Sequence, residues 1–281
     1  MSRKWEYVTL RDIATDIRDG THGTHPRVLN GVPFLSAKNI GKNGKLNWGH
    51  SDEFVTENEY RLITATFSPM PGDLLITVVG TLGRTTIFNG EKVAFQRSVA
   101  FVRPTKEITV DYLFQVSKTS GFSRQMEQRS NATAQAGLYL GELAKIQIPL
   151  PGISFQRKIA AILATTDQAI EKTEALIHKY QQIKAGLMHD LFTRGLTTDG
   201  KLRLPREQAP ELYQETPIGW IPKEWELLKA SDICYPVTKG TTPSYFNYST
   251  DEGSVPYLRV ENLSFNGSLQ FDQDSLFVSK I

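Results

Sequence analysis

A single cysteine, Cys234, stands in a chain of 281 residues, which excludes an internal disulfide and a cysteine-rich zinc site. No apolar run approaches the roughly 20 residues that a membrane-crossing helix needs. The opening MSRKWEYVTL lacks the apolar core of a secretory signal, and the expected location is the cytoplasm. Nucleotide signatures are missing too: there is no GxxxxGKS/T phosphate loop and no GxGxxG. Net charge is scarce, at +2 from 32 Lys and Arg against 30 Asp and Glu, so the total argues little about nucleic acid. Its distribution says slightly more. Residues 1–150 carry 18 basic and 14 acidic side chains, and residues 151–281 carry 14 and 16, so the first half is mildly basic and compatible with DNA.

What is present is ordinary in bulk. Hydrophobic content of 40% with 10% aromatics fits a globular chain of one large or two modest domains. One stretch stands out. From Ser154 to Phe192, apolar residues recur at Ile159, Ile162/Leu163, Ile170, Leu176/Ile177, Tyr180, Ile183, Leu187 and Leu191. Steps of three and four alternate, with Thr166 and Thr173 filling the seam, which is the period of a helix with one apolar stripe. Such a helix is about 55 Å long at about 1.5 Å per residue. A narrow seam on so long a rod cannot bury itself and calls for a partner helix. Ser154 is the expected N-cap and Gly195 the residue after the last turn. The competing reading is a long core helix of one globular domain, which the wide face of Lys, Glu, Gln and His disfavours.

The chain also repeats itself. Trp225-Glu226 matches Trp5-Glu6, Asp232-Ile233 matches Asp12-Ile13 and Gly240-Thr241 matches Gly20-Thr21, all 220 residues apart. After a three-residue shift, Pro256-Tyr257-Leu258 matches Pro33-Phe34-Leu35, Asn262-Leu263 matches Asn39-Ile40, Gly267 matches Gly44, and Phe277-Val278 matches Phe54-Val55, now 223 apart. The matched residues are those that set turns and cores. The first unit continues for about a hundred residues past Val55, whereas the second stops near its counterpart, so the second domain is expected to be only begun. The domain expectation is 1–152, a long helix 153–194, a linker 195–224 rich in Pro, Thr and Glu, and an incomplete repeat 225–281.

Within the first unit, Leu10–Ala14 reads as a short turn of helix, Val32–Leu35 as a strand, and Lys38–Leu46 as a turn-rich loop. Pro71-Gly72-Asp73 reads as a turn before a buried strand, Leu74–Val79. Thr85–Phe88 is a strand closed by the hairpin signal Asn89-Gly90. Val93–Val102 reads as one further strand carrying Gln96, Arg97 and Ser98, and Tyr112–Met126 as a helix. The fold class is α+β: a strand-rich domain, a long helix of coiled-coil type, then the start of the repeated domain.

At this point the sequence resembles the specificity subunits of type I restriction–modification systems. The resemblance is carried by Pro71-Gly72-Asp73-Leu74-Leu75-Ile76, by Gly80-Thr81-Leu82-Gly83-Arg84, by Ile148-Pro149-Leu150-Pro151 with Gln156 and Ile159, and by Thr216-Pro217-Ile218-Gly219-Trp220-Ile221-Pro222-Lys223-Glu224-Trp225. It implies target-recognition domains that each read half of a bipartite DNA sequence, joined by two long helices that pair antiparallel and set the spacing. It implies no chemistry in the chain itself: the Asn/Asp-Pro-Pro-aromatic tetrapeptide of amino-methyltransferases is missing, and the chain takes no cofactor. Two modification subunits would methylate adenine at N6 with S-adenosylmethionine, and restriction subunits would add ATP- and Mg2+-dependent translocation and cleavage. With the second domain incomplete, a homodimer through the long helix is a further expectation, with a gapped palindrome as its target. Two other classes compete: a coiled-coil adaptor with no DNA role, and an enzyme fused to a recognition domain.

Base reading needs Arg, Lys, Asn, Gln, Ser or Thr on a protruding face. The candidates are Thr21, His22, Lys38, Asn39, Lys42, Asn43, Arg84, Thr85, Gln96, Arg97 and Ser98. Asn39 and Gly44 recur in the second unit and are expected to be mainly structural. Lys38 and Lys42 face Glu261 and Phe265 there, and are expected to vary with the half-site. His22 and His25, with Asp19 nearby, are too few for a metal site. The helix-pairing candidates are Ile159, Ile162, Ile170, Ile177, Tyr180, Ile183 and Leu187.

Overall fold

The computed structural model describes residues 5–65, 67–130, 137–236, 238–242, 254–265, 267–271 and 277–279. The three-residue shift inside the repeat falls largely on 243–253, outside the described residues. The chain divides into two compact units, residues 1–181 and 182–281, and the division falls inside the long helix.

The first unit contains, in order, β1 (Glu6–Thr9), β2 (Ala14–Asp19), β3 (Val32–Leu35), β4 (Phe54–Val55), α1 (Glu57–Thr64), β5 (Leu74–Thr77), β6 (Thr85–Ile87), β7 (Ala94–Phe95), β8 (Val99–Pro104), α2 (Val110–Ser117), α3 (Ser120–Arg129), α4 (Leu140–Leu143), β9 (Gln147–Leu150) and the start of α5 (Ile153–Thr193). It is an α+β fold. An antiparallel sheet runs β2-β8-β5-β6, a second sheet runs β4-β3-β7, and β1 pairs with β9.

The central sheet is apolar on both faces because its middle strands carry no polar alternation. Leu74 and Ile76 of β5 join Ala100 and Val102 of β8 on one face, under Leu113 and Val116 of α2. Leu75 and Phe101, opposite each other in the β5–β8 register, point the other way into a cluster with Leu35, Phe88 and Phe95. A strand buried on both sides reads as a continuous aliphatic run, as Leu74–Ile76 does. Gly72, at φ +91°, turns the chain into β5. The next residue, Asp73, is 1% exposed. Its carboxylate accepts from the Met70 amide at 2.8 Å and from the Arg103 guanidinium of β8 at 2.9 and 2.8 Å.

Several local expectations are corrected. Leu10–Ile13 is a turn, not helix, and it buries both Leu10 and Ile13. Asn89-Gly90 closes no hairpin: β6 pairs with β5, whereas β7 pairs in parallel with β3, so this turn hands the chain from one sheet to the other. The single strand expected over Val93–Val102 is two strands broken by a turn at Gln96–Ser98, because the Gln96 amide bonds to Leu35 and the Val99 amide to Gln96. The helix expected over Tyr112–Met126 is two, interrupted where Thr119 caps α3 by accepting from the Phe122 amide.

Helix α5 begins at Ile153, so Ser154 lies inside its first turn and is not its cap; the Gly152 carbonyl accepts the Phe155 and Gln156 amides there. Its 41 residues extend about 60 Å. Only Gln156 and Ala160 are buried along it. Gln156 is 0% exposed and makes three side-chain bonds, from the Thr109 amide and to the carbonyls of Glu107 and Pro151.

The second unit opens with the end of α5, where Gly195, at φ +65°, donates to the Asp190 carbonyl. A side chain at Gly195 would come within 2.6 Å of the Trp225 ring, so close approach as well as φ demands glycine. The stretch 195–224, expected as a linker, is folded. It forms the hairpin β10 (Tyr213–Thr216) and β11 (Gly219–Pro222) around a buried Arg203. The Arg203 guanidinium donates to the carbonyls of Arg194 and Leu196 and to Glu224 at 3.0 Å. Ala209 and Tyr213 are buried in the same stretch, and a centre this small, built largely on hydrogen bonds of Arg203, leaves little trace in the composition. Then come α6 (Ala230–Ile233), β12 (Ser254–Pro256) and β13 (Phe277–Ser279).

Among the described residues, the repeat is realised in matching bonds. In the first unit the Asn39 carboxamide accepts from the Ser36 amide at 2.9 Å and donates to the Asn47 carbonyl at 3.0 Å. In the second, Asn262 accepts from Arg259 at 2.8 Å and donates to Gln270 at 2.9 Å. Bridges Ile40–Leu46 and Leu263–Leu269 correspond, as do the antiparallel pairs β3–β4 and β12–β13.

Candidate nucleic-acid interface

The sequence-derived candidates fall into three sets. The first gathers around the turn Gln96-Arg97-Ser98. Here Gly20 lets the 19–27 loop lie against β7; a Cβ on it would sit 2.3 Å from the Phe95 carbonyl oxygen. The Thr21 amide donates to Phe95 at 2.9 Å, and the Thr21 carbonyl accepts from Arg97 at 3.0 Å. Ser98 Oγ accepts the Ala37 amide at 3.0 Å, and the Ser98 carbonyl accepts Val78 at 2.9 Å. The turn is therefore tied to the loop, to β3, to the Ala37 turn and to the strand edge at Val78. Among the described residues, the exposed Arg97 side chain makes no hydrogen bond or ion pair.

Around Arg97 the polar side chains are paired. Thr21 Oγ1 and Glu59 bracket the His25 ring at 2.7 and 2.6 Å, and His22 meets Asp19 at 2.8 Å. Arg27 lies 4.1 Å over the Phe34 ring and donates to Glu53 at 2.7 Å. Gln96 donates to that same Glu53 oxygen at 3.1 Å. Lys38 pairs with Asp52 at 3.0 Å. Asp52 is held below the usual carboxylate range, first by the Asn39 amide, then by the Gly49 N–H and Lys38.

The second set, Lys42, Asn43 and Arg84, lines a groove of about 1000 Å³ against α5, opposite Ala160, Ala164 and Ile170. Ion pairs cross it: Lys45 with Glu171, and Lys118 with Asp167 at 2.9 Å. Asp167 is depressed by its bond from Gln115 and then by Lys118. The Arg84 guanidinium donates to the Ile40 carbonyl at 3.2 Å. These candidates face a helix of the same unit instead of joining Arg97.

The third set is buried. Asn39 is 4% exposed and spends its carboxamide on Ser36, Asn47 and Asp52. Thr85 is also 4% exposed and bonds Ser117. Neither presents a side chain to a duplex. On the helix, Ile159 is half-buried against the core of the first unit, whereas Ile162, Ile170, Ile177, Tyr180, Ile183 and Leu187 are exposed. The open seam thus starts one turn later than its period suggested.

Sequence reasoning missed Arg27, Glu53 and Glu59. Arg27 shares the loop of Thr21 and could have been taken with it. The carboxylates lie 43 and 34 residues from the partners they meet, Gln96 and His25, and no local signal joins them. Among the described residues, no group of three His, Cys, Asp or Glu could hold a metal, and no helix is long and apolar enough to cross a membrane.

The first unit is an α+β domain with a turn at Gln96–Ser98 anchored on its backbone and the side chain of Arg97 exposed, and the long helix leaves an apolar seam open. The model of the type I restriction modification DNA specificity domain matches residues 2–182, and the chain belongs to that family. The chain is 25% identical over 269 residues to the putative type I restriction enzyme MjaX specificity subunit of Methanocaldococcus jannaschii, covering 91% of this chain and 59% of that one. It is 26% identical over 269 residues to the MjaVIII specificity subunit of the same organism, covering 93% and 56%. A solved type I restriction–modification S subunit from M. genitalium is 15% identical, with a TM-score of 0.46 over 67% of this chain and 46% of that chain. The chain therefore spans a little under six-tenths of the length of these two curated relatives.

Proposed function

We propose that this chain is the non-catalytic DNA-reading subunit of a type I restriction–modification complex. It reads double-stranded DNA through the first unit and directs adenine-N6 methylation and cleavage by partner subunits. The observation that carries this is the Gln96–Ser98 turn, fixed on its backbone and offering a free guanidinium. Arginine paired bidentate with guanine contributes about 1–3 kcal/mol of discrimination, and only when its backbone is already positioned. Residues 1–152 act as the reading domain and α5 as the spacer. The open seam from Ile162 to Leu187 takes a partner helix, in a second copy or a partner subunit. Two modification subunits and restriction subunits supply S-adenosylmethionine, ATP and Mg2+, and the complex works in the cytoplasm.

The test is co-expression with the neighbouring modification subunit, followed by mapping of N6-methyladenine across the host genome. The expected result is one gapped motif in the wild type, with Arg97→Ala losing about tenfold in methylation or relaxing one base position. No new methylation with the wild-type chain would count against the reading.

A further inference from the structure

The basic side chains on the loops that meet the Gln96–Ser98 turn stand against carboxylates. Arg18, Arg27 and Lys38 each sit within 3.0 Å of a carboxylate, Asp16, Glu53 and Asp52, and the His22 and His25 rings hydrogen-bond the carboxylates of Asp19 and Glu59. One carboxylate does more than pair. Glu53 Oε2 accepts from the Arg27 Nε–H at 2.7 Å and from the Gln96 carboxamide at 3.1 Å. Its backbone is pinned, because the Phe34 amide donates to the Glu53 carbonyl at 2.8 Å. Both charged side chains remain reachable, Arg27 at 35% exposed and Glu53 at 46%. The two groups it engages have distinct uses on DNA. A guanidinium pairs with phosphate, and a glutamine amide reads an adenine edge.

We propose that Glu53 is a specificity-determining residue that occupies Arg27 and Gln96 in place of DNA. A mismatched duplex offers Arg27 a phosphate only in exchange for the carboxylate it already has, and brings that phosphate close to Glu53, so its gain is small. A matched duplex adds base-edge bonds to Gln96 and to Arg97, and these supply the energy that displaces Glu53. Specificity then arises partly from suppressing wrong partners. The inference rests on the DNA-reading function proposed above.

The experiment uses the complex of the full chain with its modification subunits. Fluorescence anisotropy compares a duplex carrying the motif methylated by the wild type with a scrambled duplex of the same composition, across a salt series. Glu53→Gln keeps the size of the side chain and an acceptor for Arg27. It is expected to tighten binding to the scrambled duplex about tenfold and to steepen its salt dependence by about one released counterion. Binding to the motif duplex changes less than about threefold, so the discrimination ratio falls. Glu91→Gln, the same charge change elsewhere, leaves the ratio as in the wild type. In an Arg27→Met background the Glu53→Gln gain shrinks below about threefold. Equal tightening on both duplexes, no change, weaker binding to both, an equal gain from Glu91→Gln, or a full gain without Arg27 would each overturn the proposal. A wild-type complex that fails to distinguish the two duplexes overturns the DNA-reading function itself, and so is separable from a failure of Glu53 alone.

Discussion

The turns around Asn39 and Asn262 share their inner bonds and differ on their surface. In each, a buried asparagine closes the 3-10 turn and reaches eight residues ahead to a backbone carbonyl. In each, a glycine at φ +72° or +81° completes the bracket. Outside that frame, Lys38 stands where the second copy has Glu261, and the exposed Lys42 where it has the exposed Phe265. The bracket is thus set by a buried asparagine and a positive-φ glycine, and the positions it presents carry different chemistry in the two copies. Shape and reading are separated within a dozen residues.

That separation can be broken, and the largest effect is expected at the glycines. Alanine at Gly44 must hold positive φ and also place its methyl 2.5 Å from the Phe114 ring. It is expected to cost about 3 kcal/mol. Alanine at Gly267 meets no described atom within 4 Å and should cost about 1 kcal/mol, the conformational penalty alone. Urea unfolding followed by hydrogen exchange at residues 36–47 and 259–270 checks both values. Equal costs would mean that Phe114 moves aside and the first bracket is looser than it looks.

Next is Asn39→Ala, which strands the Ser36 amide and the Asn47 carbonyl and removes a donor from Asp52. A cost of about 2–3 kcal/mol is expected. The same variant has a pH signature. The folded-state pKa of Asp52 is depressed, chiefly by Asn39. Its stabilising contribution is therefore present above the ordinary value of 3.8 and is lost as pH falls below it. Asn39→Ala should flatten the acid limb of stability below that pH, measured by urea midpoints between pH 6 and pH 3. An unchanged acid limb would assign the depression to Gly49 and Lys38 instead.

The smallest effect on stability sharpens the other side of the comparison. Lys38→Glu copies the second unit's residue onto the first bracket and puts a carboxylate beside Asp52. A cost of no more than about 0.5–1 kcal/mol is expected, since Lys38 is more than half exposed. Its methylated motif, by contrast, should change or disappear. Loss of folding with Lys38→Glu would show that frame and surface are not independent.

Much of this was legible in the sequence because it is carried by residues with narrow conformational or packing demands. The run Leu74–Ile76, the glycines and asparagines of the repeat and the period of the long helix each point to one local structure. What escaped detection depends on distant partners. The turn at Gln96–Ser98 exists because Leu35 and Thr21 capture the amides of Gln96 and Arg97, from 61 and 76 residues away. Thr85 looked like a loop donor beside Arg84 but is claimed by Ser117. Arg203 joins the buried Ala209 and Tyr213 in a small centre that composition did not reveal. Lys42 and Asn43 read as exposed loop residues, which they are, but the surface they share belongs to the groove along α5.

The root of α5 has a mechanical consequence. Gln156 rivets the first turn to Glu107, Thr109 and Pro151, while Lys118 and Lys45 brace the rod at Asp167 and Glu171, about three and four turns further on. A beam clamped at several points along its first 19 residues has no pivot at its base. The stretch from Ile153 to Glu171 is therefore held as part of the first unit, and the rod becomes a free-standing helix only beyond its fifth turn.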